Sequence, residues 1–223
     1  MRIPPTLELE RNLLAAAPNG AVLGGVDEVG RGPIAGPVSV GIAIMRAGFD
    51  RPLPAGLADS KQLTARRREA LVPKIKTWVE DVAVGHADSN EIDAHGIIGG
   101  LRLAAQRAFT ELAARGNAPT LILLDGSHNW WSEESPAPVL PQLPVTMQVK
   151  GDARCALVSA ASVVAKVARD AIMTELDRAY PGYHWAKNKG YATREHVEAL
   201  DALGPSPHHR ISWHLPTRRS THE

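Results

Sequence analysis

The sequence predicts a mixed α/β sheet flanked by helices, with a helical extension at its C-terminal end. Five short apolar runs have the length and composition of strands, and helix patterns separate them. Their order is two strands, a helix, a strand, a helix, two strands and then helices, which is typical of a mixed sheet. The 223 residues correspond to roughly 1.5 average domains, so we expect one main domain with appendages.

The predicted elements of the first half are strands at 21–26, 37–45 and 81–87 and helices at 64–79 and 97–115. A glycine-rich turn joins the first two strands. Thr64 has the side chain of an N-cap, and the apolar residues that follow it are spaced for one buried helix face. Pro73 would either kink this helix or split it in two.

The predicted elements of the second half are strands at 120–124 and 145–149 and helices at 156–178 and 193–203. The stretch 127–143 contains three prolines and is predicted as an irregular loop. The helix at 156–178 has small residues on one side, which suits close packing on a sheet. Pro-Gly and Gly-Pro pairs end the last two helices.

Composition excludes several classes of protein. Apolar residues make up 44% of the chain and charged residues 22%, so a disordered or fibrous chain is excluded. No apolar stretch approaches the roughly 20 residues that cross a bilayer, and we expect no membrane partner. The single cysteine, Cys155, excludes an intramolecular disulfide and fits a cytoplasmic protein.

The charge is distributed unevenly although the net charge is only +1. Residues 150–223 carry 11 basic and 8 acidic residues, six of the nine histidines and half of the aromatic residues. Basic groups interleaved with aromatic rings can contact phosphates and stack on sugars or bases. Composition alone favours the plainer interpretation, a solvated basic surface over a small aromatic core.

Acidic residues directly follow three of the predicted strands. Asp27 and Glu28 close the first strand, Asp125 closes the fourth, and Asp152 follows the fifth. If those strand ends are adjacent, four carboxylates crowd one place and need cations to stay ionised. The alternative is that each acid is only a turn or cap residue.

The ligand type of this acidic cluster indicates the metal. Oxygen ligands without cysteine or histidine favour Mg²⁺ or Mn²⁺ over zinc. Two such ions about 3.5–4 Å apart would serve in-line phosphoryl transfer, one activating water and the other stabilising the leaving oxygen.

The sequence around these acids resembles the ribonuclease HII family. The similar blocks occur in the family's order and span about residues 21 to 213; they read GVDEVGRGP at 25–33, DSKQL at 59–63, LDG at 124–126, KGDA at 150–153, SAASVVAKVARD at 159–170, KGY at 189–191 and LGPSPHHR at 203–210. Val29 stands where the family commonly has Ala. The stretch 127–142, with Trp130 and Trp131, is not a family signature.

The resemblance implies a ribonuclease H-like catalytic domain over 21–180, preceded by a leader at 1–20. A C-terminal helical and basic segment at 181–223 would pack on the same domain. The implied activity is hydrolysis of the phosphodiester 5′ to a ribonucleotide, in RNA·DNA hybrids or in duplex DNA with embedded ribonucleotides. The products would carry 3′-hydroxyl and 5′-phosphate ends.

The resemblance also implies roles for the acids and for residues that bind substrate. Asp27, Glu28 and Asp125 resemble the principal metal ligands, and Asp152 resembles the fourth catalytic carboxylate. Gly30, Arg31 and Gly32 would read the ribose 2′-hydroxyl, the group that distinguishes RNA from DNA. Their plainer interpretation is a tight turn between strands, and both can hold.

Tyr191 would stack on the sugar at the junction, unless it is an aromatic core residue. Ser60 and Lys61 are expected to meet phosphate. Weaker phosphate candidates are Lys150, Lys166, Lys187 and Arg194.

Three further motif residues are expected to have no part in the chemistry. Asp170 lies within a predicted helix and is interpreted as a structural partner of Arg169 or of a nearby backbone group. The adjacent His208 and His209 point opposite ways on an extended chain, so solvent is favoured over a metal.

Two other functions remain open from the sequence. A nucleic-acid-binding module without catalysis is disfavoured, because four acids beside phosphate would weaken binding. Another metal nuclease of the same superfold, such as a junction resolvase or integrase, would not need a reader of the 2′-hydroxyl. We expect a monomer whose partner is nucleic acid.

Overall fold

The computed structural model describes residues 4–133 and 140–216. The strands are β1 Val22–Val29, β2 Val38–Arg46, β3 Asp81–Ala87, β4 Leu121–Asp125 and β5 Val145–Gln148. The helices are α1 Glu8–Ala16, α2 Ala65–Trp78, α3 Ser89–Ala114, α4 Gly151–Arg154, α5 Ala156–Ala179, α6 Trp185–Asn188 and α7 Arg194–Leu203. Short 3-10 turns lie at Ser60–Gln62 and Ile211–Trp213.

The five strands form one mixed sheet in the order β3-β2-β1-β4-β5. The first three strands pair antiparallel, and β4 pairs parallel with both β1 and β5. This arrangement confirms the predicted α/β class. All five predicted strands are present, each within a few residues of its expected bounds.

Helices cover both faces of the sheet. One apolar cluster joins α1, α2 and α5 to residues such as Leu23 and Met45, and a second joins α3 to Val26 and Ile42. The backbones approach closely on the α5 face, because a Cβ built on Gly41 of β2 would lie 2.5 Å from the Ala161 carbonyl oxygen. The small residues predicted along one side of α5 allow this approach.

Two helices differ from their predicted form. Pro73 lies inside α2 without splitting it, and Thr64 caps the helix by accepting a hydrogen bond from the Arg67 N–H. Helix α3 begins at Ser89 rather than 97, since Asp88 and Glu91 form a capping box. Gly96 has a φ of 69°, so two helical segments meet there, and the predicted helix corresponds to the second.

Helix α1 lies within the segment that the sequence suggested was a leader. Its Glu10 is fully buried, and the Glu10 carboxylate accepts a hydrogen bond of 2.9 Å from the Leu157 N–H in the first turn of α5. Thr6 forms an isolated β-bridge with Cys155 at the same place. The N-terminal segment therefore packs on the core, while the division into 1–20, 21–180 and 181–223 stays a prediction.

The buried carboxylate makes stability depend on pH. Burial raises the pKa of Glu10 from 4.5 to about 7. Between these values the folded chain holds a proton that the unfolded chain has lost, so stability falls as pH rises towards 7. We expect the parent to lose about 2.5 kcal/mol of unfolding free energy relative to Glu10→Gln when the pH is raised from 5 to 8, measured by urea unfolding.

The control for this prediction is Glu8→Gln, because Glu8 is exposed on the same helix. It should follow the parent at every pH. A Glu10→Gln variant whose unfolding free energy runs parallel to that of the parent would show that the Glu10 carboxyl is ionised throughout this range.

The stretch 127–143 is partly described. Trp130 and Trp131 are each 1% exposed and join the core beneath α3, where Arg102 donates hydrogen bonds to both of their carbonyl oxygens. Residues 134–139 of the predicted loop lie outside the described residues. No helix in the described ranges is long and apolar enough to cross a membrane.

Candidate active site

The sheet brings the acidic residues to one edge. Val26 of β1 pairs with Leu124 of β4, so the following residues, Asp27 and Asp125, end up side by side. Asp125 pairs in turn with Gln148 at the end of β5. After β5 the chain runs directly into α4, whose first turn contains Asp152.

Three of these acids, Asp27, Glu28 and Asp125, lie on strands. Asp27 is the most buried of the three, with 5% of the residue exposed. Burial raises its pKa well above the ordinary value, and the charges of Glu28, Asp125 and Asp152 add to the rise. The hydroxyl of Ser162 on α5 acts in the opposite direction. The four acids therefore share one electrostatic environment, in which each negative charge disfavours the others.

Glu28 has one satisfied and one unsatisfied oxygen. Its Oε1 accepts a hydrogen bond of 3.1 Å from Arg31, whereas its Oε2 is buried with no partner among the described residues. Burial raises the pKa of Glu28, with Arg31 and the nearby Trp130 acting against that rise. The sequence did not predict that Trp130 lies at the site. The structure places Trp130 next to Glu28.

Asp125 and Asp152 are held by groups around α4. The Asp125 Oδ1 accepts a hydrogen bond of 2.6 Å from the Gly151 N–H. Burial raises the pKa of Asp125, and the charge of Asp152 adds to it. Asp152 is 4% exposed, and its Oδ2 lies 3.0 Å from the Lys61 Nζ.

These donors fit a hard divalent cation. They are carboxylate oxygens, one of them is buried without a partner, and a lysine ammonium lies where positive charge is needed. As the side chains stand in the described ranges, no three acidic, histidine or cysteine groups are gathered into a ready-made metal cage. A bound ion would therefore draw the carboxylates together. It would also offset the repulsion between their negative charges.

The glycine turn and Tyr191 lie together beside the acids. Gly30 follows the end of β1 with a φ of 88°, a conformation that favours glycine. A Cβ built on Gly32 would lie 3.7 Å from the Tyr191 ring. Tyr191 is 45% exposed, so it is not the core aromatic of the alternative interpretation.

The predicted phosphate ligands have different surroundings. Lys61 has a side chain that is 78% exposed apart from its contact with Asp152. The Ser60 hydroxyl is turned inward, 5% exposed, and accepts a hydrogen bond from Ser162. Of this pair only Lys61 has a side chain free to reach a phosphate.

Three of the weaker candidates are paired with carboxylates. Lys166 contacts Asp170 at 2.7 Å, and the other two pairs are Lys187 with Glu195 and Arg194 with Glu198. Lys150 precedes α4 in the left-handed conformation. Each of the three pairs would have to open before its cation could meet a phosphate.

Two structural expectations are corrected. Asp170 pairs with Lys166 and Arg68 rather than with Arg169, whose guanidinium turns to backbone carbonyls instead. His209 is not in solvent: it is 1% exposed and lies 3.0 Å from His196, Nε2 to Nε2. The neighbouring aromatic rings of the C-terminal part enclose it.

Known proteins are similar to this chain over the region that contains the sequence blocks. The family model described as ribonuclease HII matches residues 24–215. A ribonuclease HII from Streptomyces coelicolor is 46% identical over 210 residues, which cover 94% of this chain and 84% of the relative.

Solved structures share the fold. The ribonuclease H2 of Pyrococcus horikoshii aligns with a TM-score of 0.58 and 26% identity, covering 87% of this chain and 94% of its own. Bst-RNase HIII in complex with Mn²⁺ aligns with a TM-score of 0.61 at 22% identity, over 87% of this chain and 66% of its own. The predicted ribonuclease H-like fold is thereby confirmed. The chain belongs to the ribonuclease HII family, whose members are metal-dependent endoribonucleases that act on RNA–DNA hybrids.

Proposed function

We propose that Asp27, Glu28, Asp125 and Asp152 are the catalytic carboxylates, and that the first three hold Mg²⁺ or Mn²⁺. The reaction is hydrolysis of the phosphodiester 5′ to a ribonucleotide, leaving 3′-hydroxyl and 5′-phosphate ends. The substrates are RNA·DNA hybrids and duplex DNA with single embedded ribonucleotides. The observation that supports this most directly is the meeting of four buried or half-buried acids where β1 and β4 end and α4 begins.

The protein's own contribution is to position charge. When bound, divalent ions would lower the pKa of an attacking water and stabilise the leaving oxygen. Asp27 and Asp125 extend from neighbouring strands, so rigid backbone fixes their separation. Lys61 neutralises Asp152 before substrate arrives, and its exposed stem lets the ammonium turn towards a phosphate instead.

The residues that would recognise the ribonucleotide lie beside the four acids. The backbone amides of Gly30, Arg31 and Gly32 meet the 2′-hydroxyl, and the Tyr191 ring stacks on the sugar. The proximity of Gly32 to that ring supports the assignment, since one nucleotide could touch both. Lys61 supplies the phosphate contact, which positions the duplex without specifying its sequence.

Replacing Tyr191 by Ala should separate recognition from chemistry. Loss of a stacking ring costs about 1–3 kcal/mol, so kcat/KM at a single embedded ribonucleotide should fall by roughly 10-fold or more. Tyr191→Phe should keep most of the activity, because stacking needs the ring and not the hydroxyl. Steady-state cleavage together with calorimetric Mn²⁺ binding would measure both effects.

Leu203→Ala is a suitable control, as it also truncates an exposed apolar residue of the C-terminal part. It should leave kcat/KM unchanged. Equal losses in Tyr191→Ala and Tyr191→Phe would contradict a stacking role.

The proposed activity is tested with a DNA duplex that holds one ribonucleotide, incubated with Mg²⁺, with Mn²⁺ and with chelator. We expect metal-dependent cleavage on the 5′ side of the ribonucleotide and an intact all-DNA control. Binding without cleavage would favour a non-catalytic nucleic-acid-binding module. Cleavage of the all-DNA control or of a four-way junction would favour another metal nuclease.

We infer a monomer that works in the cytoplasm. Cys155 is buried and unpaired within the described chain, as suits a reducing compartment. Six large apolar side chains are exposed in the described ranges, and only Met147 and Val149 among them are near neighbours in the sequence. A mass of 23.9 kDa in light scattering would support the monomer, and twice that mass would contradict it.

A further inference from the structure

Two arginines lie beneath the site without a salt bridge among the described residues, and only the more distant acidic charges of Asp170 and Asp93 act on Arg169 and Arg210. Arg169 of α5 and Arg210 are each 0% exposed, and neither forms a salt bridge among the residues the structure describes. The charge of Arg169 adds to the effect of burial in lowering the pKa of Arg210, so the two cations also repel one another. Such an arrangement is costly unless hydrogen bonds satisfy the guanidinium groups.

Backbone carbonyls of the glycine turn satisfy Arg210. Its Nη2 donates to the Gly30 oxygen at 2.6 Å, its Nη1 to the Arg31 oxygen at 3.0 Å, and its Nε to the Gly36 oxygen at 3.2 Å. The ring of Trp213 lies 4.6 Å from the guanidinium carbon and covers its face.

Arg169 joins the same turn to the segment that carries Tyr191. Its Nε donates to the Pro37 oxygen at 2.8 Å, its Nη2 to the Ala35 oxygen at 3.4 Å, and its Nη1 to the Lys189 oxygen at 3.0 Å. Each guanidinium therefore holds three carbonyl oxygens, and the pair spans both segments assigned to recognition.

The direction of these carbonyls decides where the neighbouring amides point. In a planar trans peptide the C=O of one residue and the N–H of the next point to opposite sides. Because the Gly30 and Arg31 carbonyls turn inward to Arg210, the N–H groups of Arg31 and Gly32 turn outward. Both residues are exposed, and neither N–H donates a hydrogen bond to another described residue.

We propose that Arg169 and Arg210 are positioning residues for ribonucleotide recognition, which aim the amides of the Gly30-Arg31-Gly32 turn and fix their distance from Tyr191. This inference rests on the proposed reading of the 2′-hydroxyl by that turn. Gly30 is part of the same arrangement, since a Cβ there would overlap the Arg169 side chain. A pre-ordered turn binds without the cost of ordering a loop.

Lysine replacements test the proposal, because they keep the charge and lose the planar fork of donors. For Arg169→Lys and Arg210→Lys we would measure KM and kcat on a duplex with one ribonucleotide, and the inhibition constant of the same duplex made only of DNA. We expect KM to rise about 10-fold and the inhibition constant of the DNA duplex to stay within 2-fold of the parent. Arg51→Lys is the matched control, as Arg51 donates to three carbonyls remote from the acids, at Thr77, Trp78 and Val79.

A merely structural role would lower the concentration of active enzyme, which reduces apparent kcat and leaves KM unchanged. Folded Lys variants with an unchanged KM would overturn the proposal.

A second variant tests the proposal if the Lys variants fail to fold. Trp213→Leu removes the ring that covers Arg210 but leaves all the donors of Arg210 in place. It should raise KM about 3-fold, and an unchanged KM in that variant would also overturn the proposal. The proposed function itself fails separately, if the unmodified enzyme does not cleave the duplex with one ribonucleotide or cleaves the all-DNA duplex equally well.

Discussion

Replacing Asp27 by Asn should remove cleavage, with kcat lower by at least about 10²–10³-fold, the scale seen when stabilisation of transition-state charge is lost. The side chain has nearly the same shape, so the fold should survive. What disappears is the negative charge at the centre of the group formed by Glu28, Asp125 and Asp152. Cleavage assays in saturating Mg²⁺ and Mn²⁺, with calorimetric metal binding, would measure the loss.

The same substitution should raise the melting temperature in chelator. Burial and three neighbouring acids disfavour the ionised form of Asp27, so a neutral amide relieves repulsion in the metal-free protein. Activity and stability are then expected to change in opposite directions, as they often do at functional sites.

Asp81→Asn is the control for this variant. Asp81 also lies on a strand, and burial tends to raise its pKa, but hydrogen bonds from Arg115 and Asn117 outweigh burial and lower it. The control should therefore lose stability and keep its turnover. Near-normal turnover of Asp27→Asn would remove Asp27 from the catalytic centre.

The positions of the acids were predictable because buried strands are readable as apolar runs. Asp27 and Asp125 lie at the ends of buried strands, and Asp152 lies four residues after the half-buried strand β5. Sites in α/β folds commonly form where strands end. Whether those ends are neighbours depends on strand order, which local patterns do not contain. The pairing of Val26 with Leu124 supplies that information.

The supporting residues could not be predicted in the same way. Arg169 and Arg210 are charged, which predicts solvent exposure, yet most of the carbonyl oxygens that satisfy them are more than 130 positions away along the chain. His209 is buried for a related reason, since Tyr183, Trp185 and His196 enclose it only after the C-terminal part has folded. Ser162 lies in the stretch 159–170 that resembles the family, but nothing local indicates that its hydroxyl faces Asp27.

Gly41→Ala should be among the most damaging single-methyl changes in the chain. The added Cβ would lie 2.5 Å from the Ala161 carbonyl oxygen, a backbone atom that moves only if α5 moves. Overpacking of this kind costs about 1–3 kcal/mol. For a chain of this size the melting temperature should fall by roughly 2–12 °C, measured by calorimetry.

The position of Gly41 also connects packing to chemistry. Gly41 pairs with Asp27 across β1 and β2, and the residue after Ala161 is Ser162, whose hydroxyl faces Asp27. A displaced α5 should therefore lower kcat per folded molecule as well as stability. Gly85→Ala offers the comparison, because its Cβ would overlap the Ala104 carbonyl of α3 on the opposite face. That variant should lose as much stability yet keep its kcat, and a Gly41→Ala enzyme with normal kcat would show that α5 does not set the position of Asp27.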